Sequence, residues 1–272
     1  MDDSGNIEEQ LKKKRKLEIN LDIVKRKPLI HNLSPVGILW YKNSCAYDSV
    51  LCIIHAIWIT NRLLWDESLK KMNNIYLNQL LADFQKISKN TTTVEAIRDK
   101  LRRQLQTMSN DKFPWGCFTS VQDVLEYILQ TDTITVSSIL TCPHNTTYLD
   151  FPFNNCVITA GNSTISSILD WISNFREPSQ YRCDMCNDNI EIVNRICNIV
   201  PILAFQFPGC KAVIDSNFTI NINDQNITSN LRGIINYHYT SSMINRDGLV
   251  LFHDGLQLEI VLFLKALSVI FI

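Results

Sequence analysis

One cysteine stands where its thiol could act as a nucleophile. Cys45 follows three polar residues and begins a long apolar run that is typical of a buried helix. The exposed N–H groups and the dipole of a helix N-terminus favour a thiolate, so this position is expected to lower the pKa of the thiol. The other thiols considered lie in apolar, strand-like or loop-like stretches and are expected to be buried and structural: Cys52, Cys117, Cys156, Cys197 and Cys210.

A nucleophilic thiol needs a base, and the chain has five histidines. His238 lies in a strand-like run, and a base on a strand that faces a helix N-terminus can reach a thiol. Asp254 follows the next predicted strand, and pairing of the two strands as a hairpin would place its carboxylate beside His238 to fix the imidazole tautomer. Of the other histidines, His31 lies in the polar N-terminal segment, His144 in a turn-like stretch and His253 at a strand end, whereas His55 is expected to be a core histidine.

The elements that would position these residues change in type along the chain. Residues 46–60 predict a helix that is apolar nearly all round and therefore buried, and amphipathic helices are predicted over 68–88, 93–106 and 119–130. From about residue 133 onward strand patterns dominate, with one helix at 165–174. This order predicts an α+β fold rather than alternating α/β. Strands are expected at 134–136, 157–159, 199–207, 218–222, 233–239 and 249–252.

Composition and charge bound the class of protein. The 272 residues are 46% hydrophobic and 19% charged, which is enough apolar material for one large domain. The formal net charge of -1 gives no global field toward nucleic acid or an acidic membrane surface, so neither partner is expected. Nine cysteines in a chain that begins without an apolar run indicate reduced thiols, metal ligands or a nucleophile rather than disulfides.

Three charged or apolar segments have structural interpretations. Residues 1–35 are polar, and basic clusters at 12–16 and 25–27 fit either a nuclear-import signal or a solvated, partly disordered leader. Residues 258–272 are apolar but shorter than the ~20 residues that span a bilayer, so they predict core strands. The charged residues of the third helix are expected on a solvated face: Arg98, Lys100, Arg102 and Arg103.

Five stretches, which together span residues 36–255, occur in an order that is typical of one protein family. Asn-Ser-Cys-Ala-Tyr at 43–47 resembles the cysteine box that opens the central helix of the ubiquitin-specific proteases, and the spacing of the stretches is similar to that of their SUMO-directed branch. Cys183 and Cys186 fall where the family keeps the Cys-x-x-Cys of a zinc ribbon. The other similar stretches are the Gln-Asp helix at 121–129, the strand at 201–207, and the histidine box with its trailing acid at 237–255.

The resemblance implies a papain-like cysteine peptidase fold. Its catalytic domain would comprise a helical lobe at 36–132, a β-rich, finger-like extension at 133–198 and a C-terminal sheet lobe at 199–272. Residues 1–35 would form a basic leader outside this domain. The protein would act inside the cell, in the nucleus or cytoplasm, as a monomer.

The resemblance also implies an activity and its residues. A deubiquitinase, or an isopeptidase for a ubiquitin-like modifier, would hydrolyse the amide after a C-terminal Gly-Gly, with Cys45 as nucleophile, His238 as base and Asp254 as the group that orients the base. Catalysis would require no cofactor, and the partners would be conjugates of ubiquitin or a related modifier. Two alternatives stay open, an inactive protein that binds ubiquitin or SUMO and an adaptor domain with an unrelated partner.

The chain departs from the family pattern in two places. The family's oxyanion-hole asparagine lies five or six residues before the nucleophile, where this chain has Trp40 and Leu39. Asn43, or the Cys45 backbone N–H with another donor, is the candidate that remains. Tyr237 stands where the family has a glycine beside the catalytic histidine.

The ribbon of the family implies a structural zinc site. Cys142 and His144 are the nearby residues that would complete a Cys₃His set with Cys183 and Cys186, although Cys-x-His is a tight spacing for two ligands of one ion. A vestigial ribbon without metal is the alternative. Cys197 ranks lower as a ligand.

Overall fold

The described part of the computed structural model begins at Ile38 and covers residues 38–142, 144, 147–159, 168–206, 217–222, 224–236, 241–244, 250–253 and 266–271. All the described residues belong to one compact unit, Pro35–Ile272. The basic leader, His238, Asp254 and Cys210 lie outside the described residues. Within the described residues, no helix is long and apolar enough to cross a membrane.

Five helices come first: α1 at Cys45–Thr60, α2 at Arg62–Lys70, α3 at Ile75–Ser88, α4 at Val94–Met108 and α5 at Val121–Ile128. Helix α1 is buried along most of its length, as its nearly continuous apolar sequence predicts. The single helix predicted over 68–88 is two helices. Asn73 adopts a left-handed φ of 53°, and the side chain of Asn74 caps α3, so two adjacent asparagines end one helix and begin the next.

A four-stranded sheet follows, in the order β2-β1-β5-β4, with all neighbours antiparallel. Its strands are β1 at Val136–Thr141, β2 at Thr147–Phe153, β4 at Arg176–Arg182 and β5 at Asn189–Ile196. Strands β2, β4 and β5 were not predicted from the sequence. Pro152 and Pro178 lie in β2 and β4, which are the two edge strands, where a residue that cannot donate a ladder hydrogen bond is tolerated.

A second, seven-stranded sheet carries the C-terminal part of the chain, in the order β10-β9-β8-β11-β6-β3, with β7 paired to β8. Strands β3 and β6 are parallel, and the other pairs are antiparallel. Strand β11 lies between β8 and β6, so the predicted strand in the apolar C-terminal stretch is present and has a neighbour on each side. The elements are β3 at Val157–Thr159, α6 at Ile168–Asn174, β6 at Leu203–Gln206, β7 at Asn217–Ile222, β8 at Gln225–Asn236, β9 at Ser241–Ile244, β10 at Val250–His253 and β11 at Ala266–Phe271.

Helix α1 packs against β8 and β9 of this sheet. Ile235 of β8 and Met243 of β9 belong to the same buried apolar cluster as the residues of α1. The cluster also contains the inward faces of the other four helices. Helix α1 therefore lies between the other four helices and the strands β8 and β9, which precede and follow position 238 in the chain.

Candidate active site and metal site

Cys45 is the first residue of α1, and its side chain is half-buried. Burial of the sulfur raises the pKa of this thiol, while the backbone N–H groups of Ala46 and of Cys45 itself oppose the rise. The Asp48 carboxylate raises the pKa further and the Arg102 guanidinium lowers it, and the net result is a raised pKa. The predicted position is confirmed, but the predicted fall in pKa is wrong because burial outweighs the helix tip.

The backbone just before Cys45 has an unusual conformation. Lys42 and Asn43 have φ of 47° and 58°, in the left-handed region that residues with a Cβ rarely occupy. The Asn43 side chain donates from Nδ2 to the carbonyl oxygen of Gly116 at 2.8 Å. An amide nitrogen carries two hydrogens, so the second one stays available to the oxyanion role predicted for Asn43.

Two arginines of α4 contact this segment, and their predicted exposure to solvent is wrong. Arg98 and Arg102 were expected on a solvated face, yet each is only 2% exposed. Their guanidinium groups donate to backbone carbonyl oxygens in the segment that precedes Cys45. The missed signal is Asp48, an acidic residue in the first turn of an apolar helix, because a buried carboxylate requires a partner.

The predicted base and acid follow strands whose pairing is described. His238 comes between Asn236, the last residue of β8, and Ser241, the first of β9, and Asp254 comes directly after β10. Ser241 pairs with Ile235 on one side and with His253 on the other. The strands leading toward His238 and Asp254 were expected to pair directly with each other, but β9 lies between them because four residues at Ser241–Ile244 form a strand of their own.

Two of the other thiols, Cys52 and Cys156, and the histidine His55 have the buried positions expected of them. His55 is buried against Trp58 and Phe84, with ring centroids 5.9 and 4.9 Å away, and burial lowers its pKa to about 4. Burial strongly raises the pKa of Cys52 and raises that of Cys156 to about 12. These groups are therefore poor bases and poor nucleophiles at neutral pH. Cys117 and Cys197 differ from expectation, because the side chain of Cys117 is exposed and that of Cys197 is only partly buried.

Two turns of the four-stranded sheet bring the predicted metal ligands together. Thr141 of β1 pairs with Glu191 of β5, so the β1–β2 and β4–β5 connections lie at the same end of the sheet. Ligand atoms of Cys142, His144 and Cys186 all lie within 4.8 Å of one another. The fourth predicted ligand, Cys183, is 2% exposed and belongs to the same buried cluster as Cys142.

Two backbone hydrogen bonds close the β4–β5 turn, which carries Cys183 and Cys186. The backbone N–H of Asn187 donates to Cys183 O, and the N–H of Cys183 donates to Asp188 O, both at 2.8 Å. The backbone N–H of Asp188 lowers the pKa of the Cys186 thiol, but desolvation and the neighbouring Cys183 thiol outweigh it and raise that pKa to about 11. Adjacent ligand atoms of a tetrahedral zinc site are about 3.5–4 Å apart, so the ligand atoms of Cys142, His144 and Cys186 lie close enough together to hold Zn²⁺.

Cys197 lies at the opposite end of the sheet from this cluster. It follows β5, whose eight residues span about 23 Å, and its backbone N–H donates to Thr135 O just before β1 begins. It therefore cannot share a metal ion with Cys142, which directly follows β1.

Comparison of the sequence with protein-family models and with curated proteins gives no match. The fold is similar to solved structures. A chain of the SAGA DUB module, formed by a Ubp8 variant with Sgf11, Sus1 and Sgf73 and bound to monoubiquitin, has a TM-score of 0.58 at 10% identity over 91% of this chain and 72% of that chain. The module bound to ubiquitin aldehyde gives 0.55 at 12% identity, over 86% and 68%. The yeast module with a Sgf73 mutant gives 0.53 at 11% identity, over 97% and 74%.

These likenesses concern the fold, because identities of 10 to 12% say little about individual side chains. Helices precede two sheets in this chain, and the central helix begins at a half-buried cysteine. The protein therefore has a mixed α/β fold similar to that of a ubiquitin-specific protease domain.

Proposed function

We propose that this chain is a thiol-dependent isopeptidase that hydrolyses the amide after a C-terminal Gly-Gly of ubiquitin or a ubiquitin-like modifier. The observation that carries the proposal is the place of Cys45. Its thiol is half-exposed at the tip of the central helix, which packs against β8, the strand leading toward His238, and against β9, which pairs with the strand leading toward Asp254. Likeness of the fold to a deubiquitinase module supports the same class of substrate.

The reaction assigns one role to each group. His238 accepts the proton of the Cys45 thiol, and the thiolate attacks the carbonyl carbon. The C–N bond then breaks as His238 returns the proton to the leaving lysine amine, which leaves a thioester on Cys45. Water attacks the thioester with His238 as base, releasing the modifier's carboxylate and the free thiol.

The remaining groups orient the base and stabilise the negative charge of the tetrahedral intermediates. Asp254 accepts a hydrogen bond from the second imidazole nitrogen and holds the tautomer that His238 needs. The free hydrogen of the Asn43 amide and the Cys45 backbone N–H donate to the oxyanion of the tetrahedral intermediates. Because burial raises the pKa of Cys45, an imidazole partner is required to produce thiolate at neutral pH.

A zinc ion would be held by Cys142, His144, Cys183 and Cys186. It would cross-link the two turns at one end of the four-stranded sheet and so stabilise that end, since structural zinc contributes to folding. Catalysis by Cys45 requires no metal. The protein would act as a monomer inside the cell, in the nucleus or cytoplasm.

The test is covalent labelling with ubiquitin and SUMO probes that carry an electrophile at the C-terminus. We expect one probe to add once to the wild type and not to Cys45→Ser. Cys117→Ser is the matched control, because Cys117 is also accessible, and it should label like the wild type. Absence of labelling by every modifier, or labelling that persists in Cys45→Ser, would rule out the proposal.

A second candidate is a protein that binds a modifier without cleaving it. The observation that favours it is the segment before the nucleophile, where Leu39 and Trp40 are exposed apolar residues instead of an amide donor. Such a protein would bind unmodified ubiquitin or SUMO and would leave the electrophilic probes unreacted. Binding measured with the unmodified proteins therefore separates the two candidates.

A further inference from the structure

Arg98 and Arg102 hold the backbone that leads into Cys45. Arg98 donates from Nη1 to Leu39 O at 2.5 Å, and Arg102 donates from Nη1 to Tyr41 O at 3.0 Å and from Nη2 to Lys42 O at 2.7 Å. The planar fork of a guanidinium fixes two acceptors at once, which an ammonium cannot do. Three carbonyl oxygens in the six residues before Cys45 are thus tied to one helix.

The aromatic surroundings of Arg102 fix its position in turn. Its guanidinium lies over the Trp115 ring, 4.6 Å from the centroid, and over the Tyr47 ring at 5.2 Å. A buried guanidinium is costly unless its donors are paired, and an apolar side chain of similar volume often stabilises a core more. Stability alone therefore does not explain two buried arginines at this place.

Ser44 occupies the N-cap position of α1 but does not cap it. Its Oγ instead donates to Asp48 Oδ2 at 2.5 Å and accepts the backbone N–H of Tyr41 at 3.0 Å. Asp48 Oδ1 accepts a hydrogen bond from Arg98 at 3.2 Å. A capping serine ordinarily has extended backbone angles and accepts an N–H of the first turn, whereas Ser44 has φ of −83° and ψ of −2° and donates its hydroxyl to Asp48, so the backbone and Asp48 together keep this hydroxyl away from the helix tip.

The diversion leaves donors of the first turn free for negative charge. The first N–H groups of a helix have no partner within the helix. The N–H groups of Cys45 and Ala46 lower the pKa of the Cys45 thiol and so oppose the effect of its burial. We propose that Asp48, Arg98 and Arg102 are positioning residues of the nucleophile, which fix the segment before Cys45 and keep the Ser44 hydroxyl off the donors that stabilise the thiolate. A role of these residues in catalysis rests on the proposed function, whereas their effect on the reactivity of the Cys45 thiol does not.

The test measures alkylation of Cys45 by iodoacetamide as a function of pH, with each cysteine peptide resolved by mass spectrometry. Asp48→Asn removes the negative charge but keeps an acceptor for Ser44, so Cys45 should react faster than in the wild type at neutral pH. Asp48→Ala also removes the acceptor and frees Ser44 to cap the helix. We expect Cys45 in Asp48→Ala to react about threefold slower than in Asp48→Asn, which corresponds to about half a pKa unit.

Adding Ser44→Ala to Asp48→Ala should raise the alkylation rate of Cys45 back to that of Asp48→Asn, because the competing hydroxyl is then gone. Equal rates in folded Asp48→Asn and Asp48→Ala, or no recovery in the double variant, would overturn the role of Asp48. The assay uses no modifier, so failure of the ubiquitin and SUMO probes in the wild type is a separate result.

Arg102→Lys supplies an independent test should Asp48→Ala fail to fold. Lysine keeps the positive charge beside the thiol but cannot donate to the two carbonyls in fork geometry. We expect the Cys45 rate to fall about threefold, again about half a pKa unit, while Cys197 reacts as in the wild type. A folded Arg102→Lys protein with an unchanged Cys45 rate would overturn the positioning role of that arginine.

Discussion

Gly233 of β8 lies so close to Ile53 of α1 that a Cβ on the glycine would be 2.6 Å from Ile53 Cδ1. The same Cβ would be 2.7 and 2.8 Å from Cγ2 and Cγ1 of that isoleucine. Ile53 is fully buried, and its branched side chain is stiff at χ1, so it has little room to move away. The helix that carries Cys45 and the strand that leads toward His238 therefore meet where glycine alone fits.

Gly233→Ala is accordingly expected to destabilise the protein. Overpacking of a well-filled core costs about 1–3 kcal/mol in the free energy of unfolding. We expect a loss of this size in urea unfolding, without loss of secondary structure by circular dichroism in the absence of urea.

Ile53→Ala in the Gly233→Ala background tests the cause. The double variant should be less destabilised than the sum of the two single variants, because the smaller side chain makes room for the added methyl group. Strict additivity would mean that the two residues do not compete for the same space.

Asp48 gives the stability of the protein a predictable dependence on pH. Burial raises its pKa from 3.8 to about 6, and the hydrogen bond from Ser44 and the charge of Arg98 only partly oppose this. Between these two values the folded chain binds more protons than the unfolded chain, so stability falls as the pH rises through the window. The full span corresponds to about 3 kcal/mol.

Asp48→Asn should therefore gain stability over the wild type as the pH is raised from about 4 to about 7, measured by urea unfolding at several pH values. Asp83→Asn is a control of opposite sign. Asp83 is desolvated, but hydrogen bonds from Lys100, Lys86 and Gln79 outweigh this and lower its pKa. Its contribution to stability is present above the unfolded pKa and is lost as the pH falls. Parallel profiles for the wild type and Asp48→Asn would contradict the assignment.

Zinc binding at the four-stranded sheet is expected to require the cluster of Cys142, His144, Cys183 and Cys186, and not cysteines elsewhere in the sheet. The purified protein should contain about one zinc ion per chain by elemental analysis, as a Cys₃His site binds one ion. Cys186→Ser should lose most of it and lower the unfolding temperature, because zinc binding stabilises the folded state. Cys197→Ser is the matched control, since that thiol lies at the far end of β5, and it should keep its zinc. Equal zinc content in both variants, or none in the wild type, would show that the cluster containing Cys186 does not bind zinc.

Parts of the fold could be read from the sequence because one pattern dominated each of them. Helix α1 is apolar on nearly every side, which permits only a buried central position. The edge strands β2 and β4 were missed because proline and polar residues break the alternation on which strand prediction depends. Strand β9 was missed because Ser241 and Ser242 give a four-residue segment little strand character.

The site was harder to predict because its polar groups satisfy one another through tertiary contacts. Arg98 and Arg102 look solvated on a helical wheel, and their burial depends on the backbone carbonyls of residues 39, 41 and 42 and on the Asp48 carboxylate. The four candidate zinc ligands are 44 residues apart at their extremes, from Cys142 to Cys186. Their proximity depends on the register of β1 and β5, which no local pattern contains.

The assignment of the base can be tested against the histidine nearest to it in the order of the strands. His238→Ala should lower turnover of a fluorogenic ubiquitin or SUMO amide by about 10²–10⁴-fold, the usual contribution of a general base. Its unfolding profile should match that of the wild type. His253→Ala is the control, because His253 precedes Asp254 and pairs with Ser241 in the same sheet. That variant should keep turnover close to the wild-type value. Near-normal turnover in His238→Ala would exclude His238 as the base, and a large loss confined to His253→Ala would transfer the role to His253.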